Sequence, residues 1–273
     1  MSTANCPAPG RARETGPSGP RPRAQGRGQK DDPVILYGLH AATAALGNPR
    51  RKVIAAYASA NMAERLAPQF TARGLAPRIE DVRALSRRAG ANAVHQGVVL
   101  EARALEPLTL AEIAPAGPVL AVDQVTDPRN LGALLRVAAA FGAAGLIATR
   151  RHRPAESGLI AKAASGGLEH VPLVEVGNLA RALTAARAAG YWIAGLDSGG
   201  AQEFESIAGH RPLLIVLGSE GQGLRRLTRE ACDGLCRIEL PGAIRSLNVS
   251  TAAALALQLS AQADRAPERG SGC

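Results

Sequence analysis

From Val34 onward, short apolar runs alternate with stretches whose apolar positions recur every three to four residues. VILY at 34–37 predicts a strand, followed by a glycine turn and a helix starting near Leu39. KVIAAYAS predicts a second strand, and NMAERLAPQFTARG a single amphipathic helix closed by Gly74. RIEDV reads as a short strand, VRALSRRAG as a helix ending at Gly90, and HQGVVLEAR as a further strand. The alternation predicts a small α/β domain over 34–104. Residues 105–117, with Pro107 and Pro115 and Pro118 just beyond, read as a linker. A second series then fills 118–264. Its strands are VLAVDQV, GLIAT, VPLVEV, YWIAGLDS, LLIVLGSEGQG and CRIELP. Its helices are NLGALLRVAAAFG, ESGLIAKAA, NLARALTAARAAG and SLNVSTAAALALQLSAQAD. Strands alternating with helices predict a mostly parallel sheet. Such sheets bind ligands beyond the C-terminal ends of their strands, which points to the loops after 125, 198, 217 and 240.

Composition sharpens this picture at a few points. Hydrophobic residues make up 46% of the chain but aromatics only 3%, so Ala, Leu, Val and Ile must build the core. Residues 1–31, rich in Pro, Gly, Arg, Ser and Gln, read as a disordered basic tail, and 265–273 as a short flexible one. The net charge is +9. Arg11, Arg13, Arg21, Arg23, Arg27 and Lys30, set against Glu14, place more than half of it in residues 1–30. The remainder is moderately basic and suggests a polyanionic partner, most often nucleic acid. A tail touching RNA phosphates and an inert solubilising tail both fit. Every apolar run is too short to span a bilayer and the polar N-terminus has no signal-peptide core, so a cytoplasmic protein is expected. Cys6 and Cys273 fall in the tails, and Cys232 and Cys236 form a lone C-x3-C. A structural zinc needs four ligands, so no metal is expected and the thiols read as reduced.

Three segments join a strand end, a loop with Gly or Asn, and the start of a helix: 123–143, 215–224 and 238–257. The middle one, with Gly218-Ser219-Glu220-Gly221-Gln222-Gly223, lacks a P-loop lysine and is misplaced for a dinucleotide fingerprint. Together and in this order the three resemble the motifs of the SpoU branch of the SPOUT RNA methyltransferases. Asn130-x-Gly132-x-x-x-Arg136 is similar to the first motif. Gly218 to Leu224 is similar to the second, and Ser246-Leu247-Asn248-Val249-Ser250 with its Ala-rich helix to the third. ASGGLEHVP at 164–172 is similar to a stretch between the first two, and the segment from YGLHA to HQG to the family's RNA-substrate-binding domain. The resemblance covers about 34–264, and the two-domain form is most similar to bacterial 23S rRNA guanosine 2′-O-methyltransferases. It implies a parallel-sheet catalytic domain with a trefoil knot, behind a small ribosomal-protein-like RNA-binding domain. It also implies S-adenosylmethionine as cofactor and a homodimer. One departure stands out: the third motif commonly begins Ile-Pro-Met, and here it is Ile238-Glu239-Leu240.

The implied chemistry is transfer of a methyl group to a ribose 2′-hydroxyl. The family positions assign cofactor binding to Gly218, Ile238 and Leu247, although core packing alone would also explain the two apolar residues. Gly218 would let the chain approach the adenosine closely. The family reading makes Arg136 the base, which conflicts with a guanidinium that stays protonated and has no acceptor. Clamping a substrate phosphate suits it better. Asn130 either caps its helix or orients Arg136 or the ribose. Glu220 is expected to hydrogen-bond Asn130, Arg136 or RNA. Ser246 reads as the cap of the last helix, and Asn248, placed one turn inside it, as the more telling site residue. His40, His95, the Arg50-Arg51-Lys52 cluster and Arg87 with Arg88 are weaker candidates for RNA contact. Alternative functions are a tRNA guanosine 2′-O-methyltransferase and a non-catalytic RNA-binding ribosome-assembly factor. A nicotinamide oxidoreductase is excluded by the missing G-x-G-x-x-G after an early strand.

Overall fold

The computed structural model describes residues 32–113, 116–219, 221–244 and 246–265 of the chain; the first tail, nearly all of the second, Cys6, Cys273 and Glu220 lie outside them. The first unit runs β1 (Val34–Tyr37), α1 (Leu39–Gly47), β2 (Val53–Ala58), α2 (Ala60–Arg65), α3 (Ala67–Ala72), β3 (Arg78–Ile79), α4 (Val82–Ala89), β4 (Val98–Ala102). Its sheet has the order β1-β4-β2-β3, with β4 antiparallel to β1 and β2, and β3 parallel to β2. The single helix expected over 61–74 is two. Pro68 has no N–H to continue the ladder and its ring would strike the carbonyl one turn back, so the chain breaks at Leu66 and restarts with Pro68 in the first turn of α3.

The second unit runs β5 (Val119–Val122), α5 (Pro128–Ala140), β6 (Gly145–Thr149), α6 (Gly158–Ala164), α7 (Gly167–His170), β7 (Leu173–Val176), α8 (Leu179–Ala188), β8 (Trp192–Leu196), β9 (Gln202–Glu203), β10 (Leu213–Leu217), α9 (Arg226–Glu230), β11 (Gly234–Arg237), α10 (Val249–Arg265). These strands form one sheet in the order β7-β6-β5-β10-β8-β11-β9, and every neighbouring pair is parallel. Its central strands β5, β6 and β10 are buried throughout, as runs without polar alternation require of a sheet covered on both faces. Residues of α5, α6 and α10 share one core with the first unit. Those of α8 pack with the opposite face. The α/β class with a parallel second sheet agrees with the expectation. The last strand does not: it begins at Gly234 and leaves the sheet after Arg237, so Ile238 and Leu240 are loop residues.

Gly132 shows why α5 needs a glycine in its second turn. A β-carbon there would lie 2.5 Å from the Ala163 methyl and 2.8 Å from the Ile160 carbonyl of α6. The helices therefore touch backbone to backbone. The segment between the units is also packed. Leu108 bridges to Val174 beside β7, Thr109 and Glu112 form a capping box, and Ile113 is buried against the sheet. A free spacer would make no such contacts.

The two units are joined by a buried cation. Arg51 is 1% exposed. Its guanidinium donates to Glu169 at 2.6 Å, to Glu156 at 2.5 Å and to the Arg103 carbonyl at 2.7 Å. Burial opposes the charge, but the hydrogen bonds and charges of Glu169 and Glu156 outweigh it and hold Arg51 protonated. Arg51 is thus a tie between domains, not an RNA contact, because no phosphate can reach it. His95 is likewise buried, with its ring bonded to the Ser86 hydroxyl and accepting from the Gly97 N–H. Arg88 pairs with Glu80 and lies 3.5 Å over the Tyr57 ring. His40, Arg50 and Arg87 stay exposed.

Candidate active site

At the C-terminal ends of β10, β8 and β11 lies a cleft of about 460 Å³. Three loops form it: Gly218, Ser219 and Gly221 to Gly223 after β10, Ile238 and Leu240 after β11, and Ser246 to Leu247 before α10, with Asp197 and Ser198 closing the side after β8. Its walls are apolar (Leu196, Leu217, Ile238, Leu247, Val249), its rim is polar, and its size suits a nucleoside-like ligand. Burial pushes the Cys236 thiol, which also lines it, up to about 11, so this wall is neutral.

The glycine loop is shaped by its own backbone. Ser219 and Gly223 exchange two N–H to carbonyl bonds of 3.2 and 3.0 Å, and Gly221 and Gly223 have positive φ of 82° and 65°. A β-carbon on Gly218 would fall 2.2 Å from the Gly223 carbonyl carbon. The expected close approach at Gly218 is therefore first of all one of the loop to itself. It leaves a flat backbone edge on the cleft.

Of the residues singled out by sequence, Gly218, Ile238, Ser246 and Leu247 line the cleft. Asn248 joins two of the motif segments: its side-chain N–H donates to the Asn130 side-chain oxygen at 3.0 Å. Its own oxygen accepts from the Ser250 N–H at 2.9 Å and the Ser250 hydroxyl at 2.7 Å. Asn248, and not Ser246, is therefore the cap of α10, which begins at Val249. Asn130 does not cap α5. Asp127 does, accepting from the Arg129 N–H at 2.7 Å, and Pro128 fills the first helical position. Arg136 sits on α5 about 9 Å beyond Asn130, outside the cleft lining. It is exposed and has no hydrogen bond or ion pair among the described residues. Glu220 lies outside the described residues.

Two groups escaped the sequence reading. Asp123, at the end of β5, is fully buried. It accepts from the Arg225 N–H at 3.1 Å, the Arg225 guanidinium at 2.7 Å and the Thr228 hydroxyl at 2.7 Å. That carboxylate anchors the start of α9 and, through it, the far end of the glycine loop. Its signal was an aspartate ending an otherwise apolar strand, with Arg-Arg-x-Thr following the loop. Arg237, the last residue of β11, donates to the carbonyls of Gly200 and Ala201 and pairs with Glu203 and Glu239. This fan of bonds steadies the strand end at which Glu239 stands where the family commonly has proline. Among the described residues, no three His, Cys, Asp or Glu gather as a metal site, and no helix is long and apolar enough to cross a membrane.

An all-parallel sheet with a ligand cleft built from loops at its C-terminal end, behind a small α/β unit, is the architecture of the SPOUT methyltransferase class. The SpoU rRNA Methylase family matches residues 117–258, and the RNA 2′-O ribose methyltransferase substrate-binding family matches 35–108. A 23S rRNA (guanosine-2′-O-)-methyltransferase RlmB of Ralstonia nicotianae is 40% identical over 82% of this chain and 93% of its own. The protein of that name from Vibrio vulnificus is 36% identical, with 82% and 94% covered. The crystal structure of the SpoU methyltransferase AviRb from Streptomyces viridochromogenes, in complex with AdoMet, superposes with a TM-score of 0.72 at 23% identity, over 87% of this chain and 92% of that one. The chain belongs to the SpoU rRNA methylase family and is an S-adenosylmethionine-dependent RNA 2′-O-ribose methyltransferase.

Proposed function

We propose that this enzyme methylates the 2′-hydroxyl of a guanosine in 23S rRNA. The names of the relatives that match both of its domains support the substrate. The observation that carries the site is the convergence of the three motif segments: two wall the cleft, and Asn248 bonds the third through Asn130.

The cleft fits S-adenosylmethionine in size and lining, with apolar walls for an adenine and hydroxyl and backbone groups at the rim. When bound, that molecule supplies an electrophilic methyl group on its sulfonium. Ile238 and Leu247 would enclose the base, and the backbone edge at Gly218 would offer hydrogen bonds to it. Asn248 holds Asn130, so α5 and α10 present their starts to the ribose as one rigid surface. Such positioning is worth several kcal/mol in a bimolecular transfer. Arg136, exposed on α5, acts as a clamp for the phosphate beside the target ribose and offsets the negative charge that grows on the oxygen. A guanidinium has no lone pair to accept the proton, so the proton leaves to another base or to water. Ser246 at the cleft rim contacts the substrate, and Glu220 is assigned to the same polar set.

In this reading the 34–104 unit grips RNA, residues 105–117 fasten it to the sheet, and the 118–264 unit performs the transfer. The protein works in the cytoplasm as a homodimer, whose interface would cover the exposed Leu255 of α10. The test uses the full chain with methyl-labelled S-adenosylmethionine, offered unmethylated large-subunit rRNA or bulk tRNA, followed by digestion and identification of the labelled nucleoside. Labelled 2′-O-methylguanosine from rRNA, lost in Arg136→Ala, is the expected result. Label from tRNA alone moves the enzyme to the tRNA branch.

A further inference from the structure

A second cleft, of about 360 Å³, opens at the C-terminal ends of β6 and β7, on the far side of β5 from the cofactor cleft. Arg151, His152, Asn178, Arg225 and Arg226 line it, and among the described residues no carboxylate does. The loop after β6 carries three cations, Arg150, Arg151 and Arg153, that neither the motifs nor the first cleft use. Arg150 and Arg153 share the single carboxylate of Glu175. Arg151 is exposed with no ion pair among the described residues. Across the cleft, Arg225 is held against buried Asp123, and Arg226 pairs with Glu230 on the surface. Five guanidiniums thus meet three carboxylates, and of the five Arg151, Arg225 and Arg226 line the cleft.

The two clefts share one short helix. Arg225 and Thr228, at the start of α9, line the second cleft and bind Asp123 at the end of β5. One turn on, Arg229 pairs with Asp197 in the wall of the cofactor cleft. From β8 to β6 is three strand spacings, roughly 14 Å. A single RNA strand with one ribose at the cofactor cleft reaches that far with its flanking nucleotides. Single-stranded RNA is held by a positive groove that tracks its backbone, and a groove without carboxylates suits phosphates.

We propose that the Arg151–Arg225–Arg226 cleft is a phosphate-binding subsite that holds the RNA backbone flanking the methylated nucleotide. This inference rests on the rRNA reading above. Phosphate contacts set register and carry no sequence information, so the cleft governs how tightly and in which frame the RNA lies. It leaves the transfer step to the first site.

The experiment measures methylation of unmethylated large-subunit rRNA, RNA binding across a salt series, and cofactor binding, for the wild type, Arg151→Glu, Arg226→Glu and Arg151→Lys. Arg151 and Arg226 are exposed, so reversal leaves the fold intact, and an unchanged melting temperature verifies this. We expect both Glu variants to raise KM for RNA about tenfold and to lower the slope of log affinity against log salt by about one each. Cofactor affinity and kcat stay within twofold, and Arg151→Lys restores KM. Unchanged KM and salt slope in both Glu variants, beside an active wild type, overturn the subsite and leave the rRNA reading standing. A wild type that binds cofactor but neither binds nor methylates rRNA overturns the reading and the subsite with it.

Discussion

At Gly218 a single methyl group would collide with the carbonyl of Gly223 across the loop, at 2.2 Å. Backbone on backbone leaves no flexible side chain to yield, so Gly218→Ala must open the loop at a strain of about 1–3 kcal/mol. The expected result, read by calorimetric titration, is S-adenosylmethionine affinity lowered tenfold or more, with the melting temperature lowered by a few degrees, as a strain of that size implies. Asn248 serves as helix cap and as the link to Asn130 at once. Asn248→Ala should lose ~1 kcal/mol of stability in denaturant unfolding, as lost caps do, and most of kcat as well. A residue that only capped would lose the first and keep the second. The sequence marked Asn248 as a site residue but placed it inside the helix. Its capping bond depends on where the helix starts, and Ser246 offered an equally good start. Cys232 carries a prediction about pH. Burial pushes its thiol up to about 12, from an ordinary 9. Between those values the unfolded chain has lost a proton that the folded chain keeps, so stability is fully present below pH 9 and falls as pH rises through that window. Melting temperature measured from pH 8 to 10.5 should fall more steeply in the wild type than in Cys232→Ala.

Elements carry the site by their ends, and one carboxylate holds several of those ends together. Asp123 closes β5, caps the approach to α9 and receives the Arg225 guanidinium. Asp123→Asn keeps the shape, removes the charge and turns one acceptor into a donor that faces Arg225. The loss expected is about 1–3 kcal/mol, with weaker cofactor binding because the glycine loop is released at its far end. Thermal unfolding and titration of the same variant separate the two effects. Most elements were legible in the pattern, because strands such as GLIAT and LLIVL are unbroken apolar runs and α8 is cleanly amphipathic. The failures share a cause. α7, α9 and β9 are too short to show a period. The split between α2 and α3 turns on Pro68 inside an otherwise helical pattern. β11 begins at Gly234 because its partner β8 pairs there, and pairing is not written in one strand alone.

The whole molecule is held in one arrangement by a buried triad of Arg51, Glu156 and Glu169 between the two units. Arg51→Met leaves both carboxylates in a dry site without a cation, and breaking a buried pair in this way costs about 3–5 kcal/mol. We expect the variant to unfold at lower denaturant and to become sensitive to proteolysis between the units. Adding Glu156→Gln and Glu169→Gln should recover much of the loss, because it is the uncompensated charge that destabilises. By itself the sequence determined the α/β class, the parallel second sheet, the order of the longer elements and the three motif loops. These follow from local periodicity, from turn residues, and from residue types whose chemistry is the same wherever they stand. Only the tertiary structure decided that Arg51 and His95 are buried and not offered to RNA, that Asn248 caps and cross-links, that Asp123 is an anchor, and that Arg151, Arg225 and Arg226 face one cleft. Each of those is a relation between residues distant along the chain. Burial, charge pairing and cleft shape belong to such relations, and a reading residue by residue has no access to them until the fold has brought the partners together.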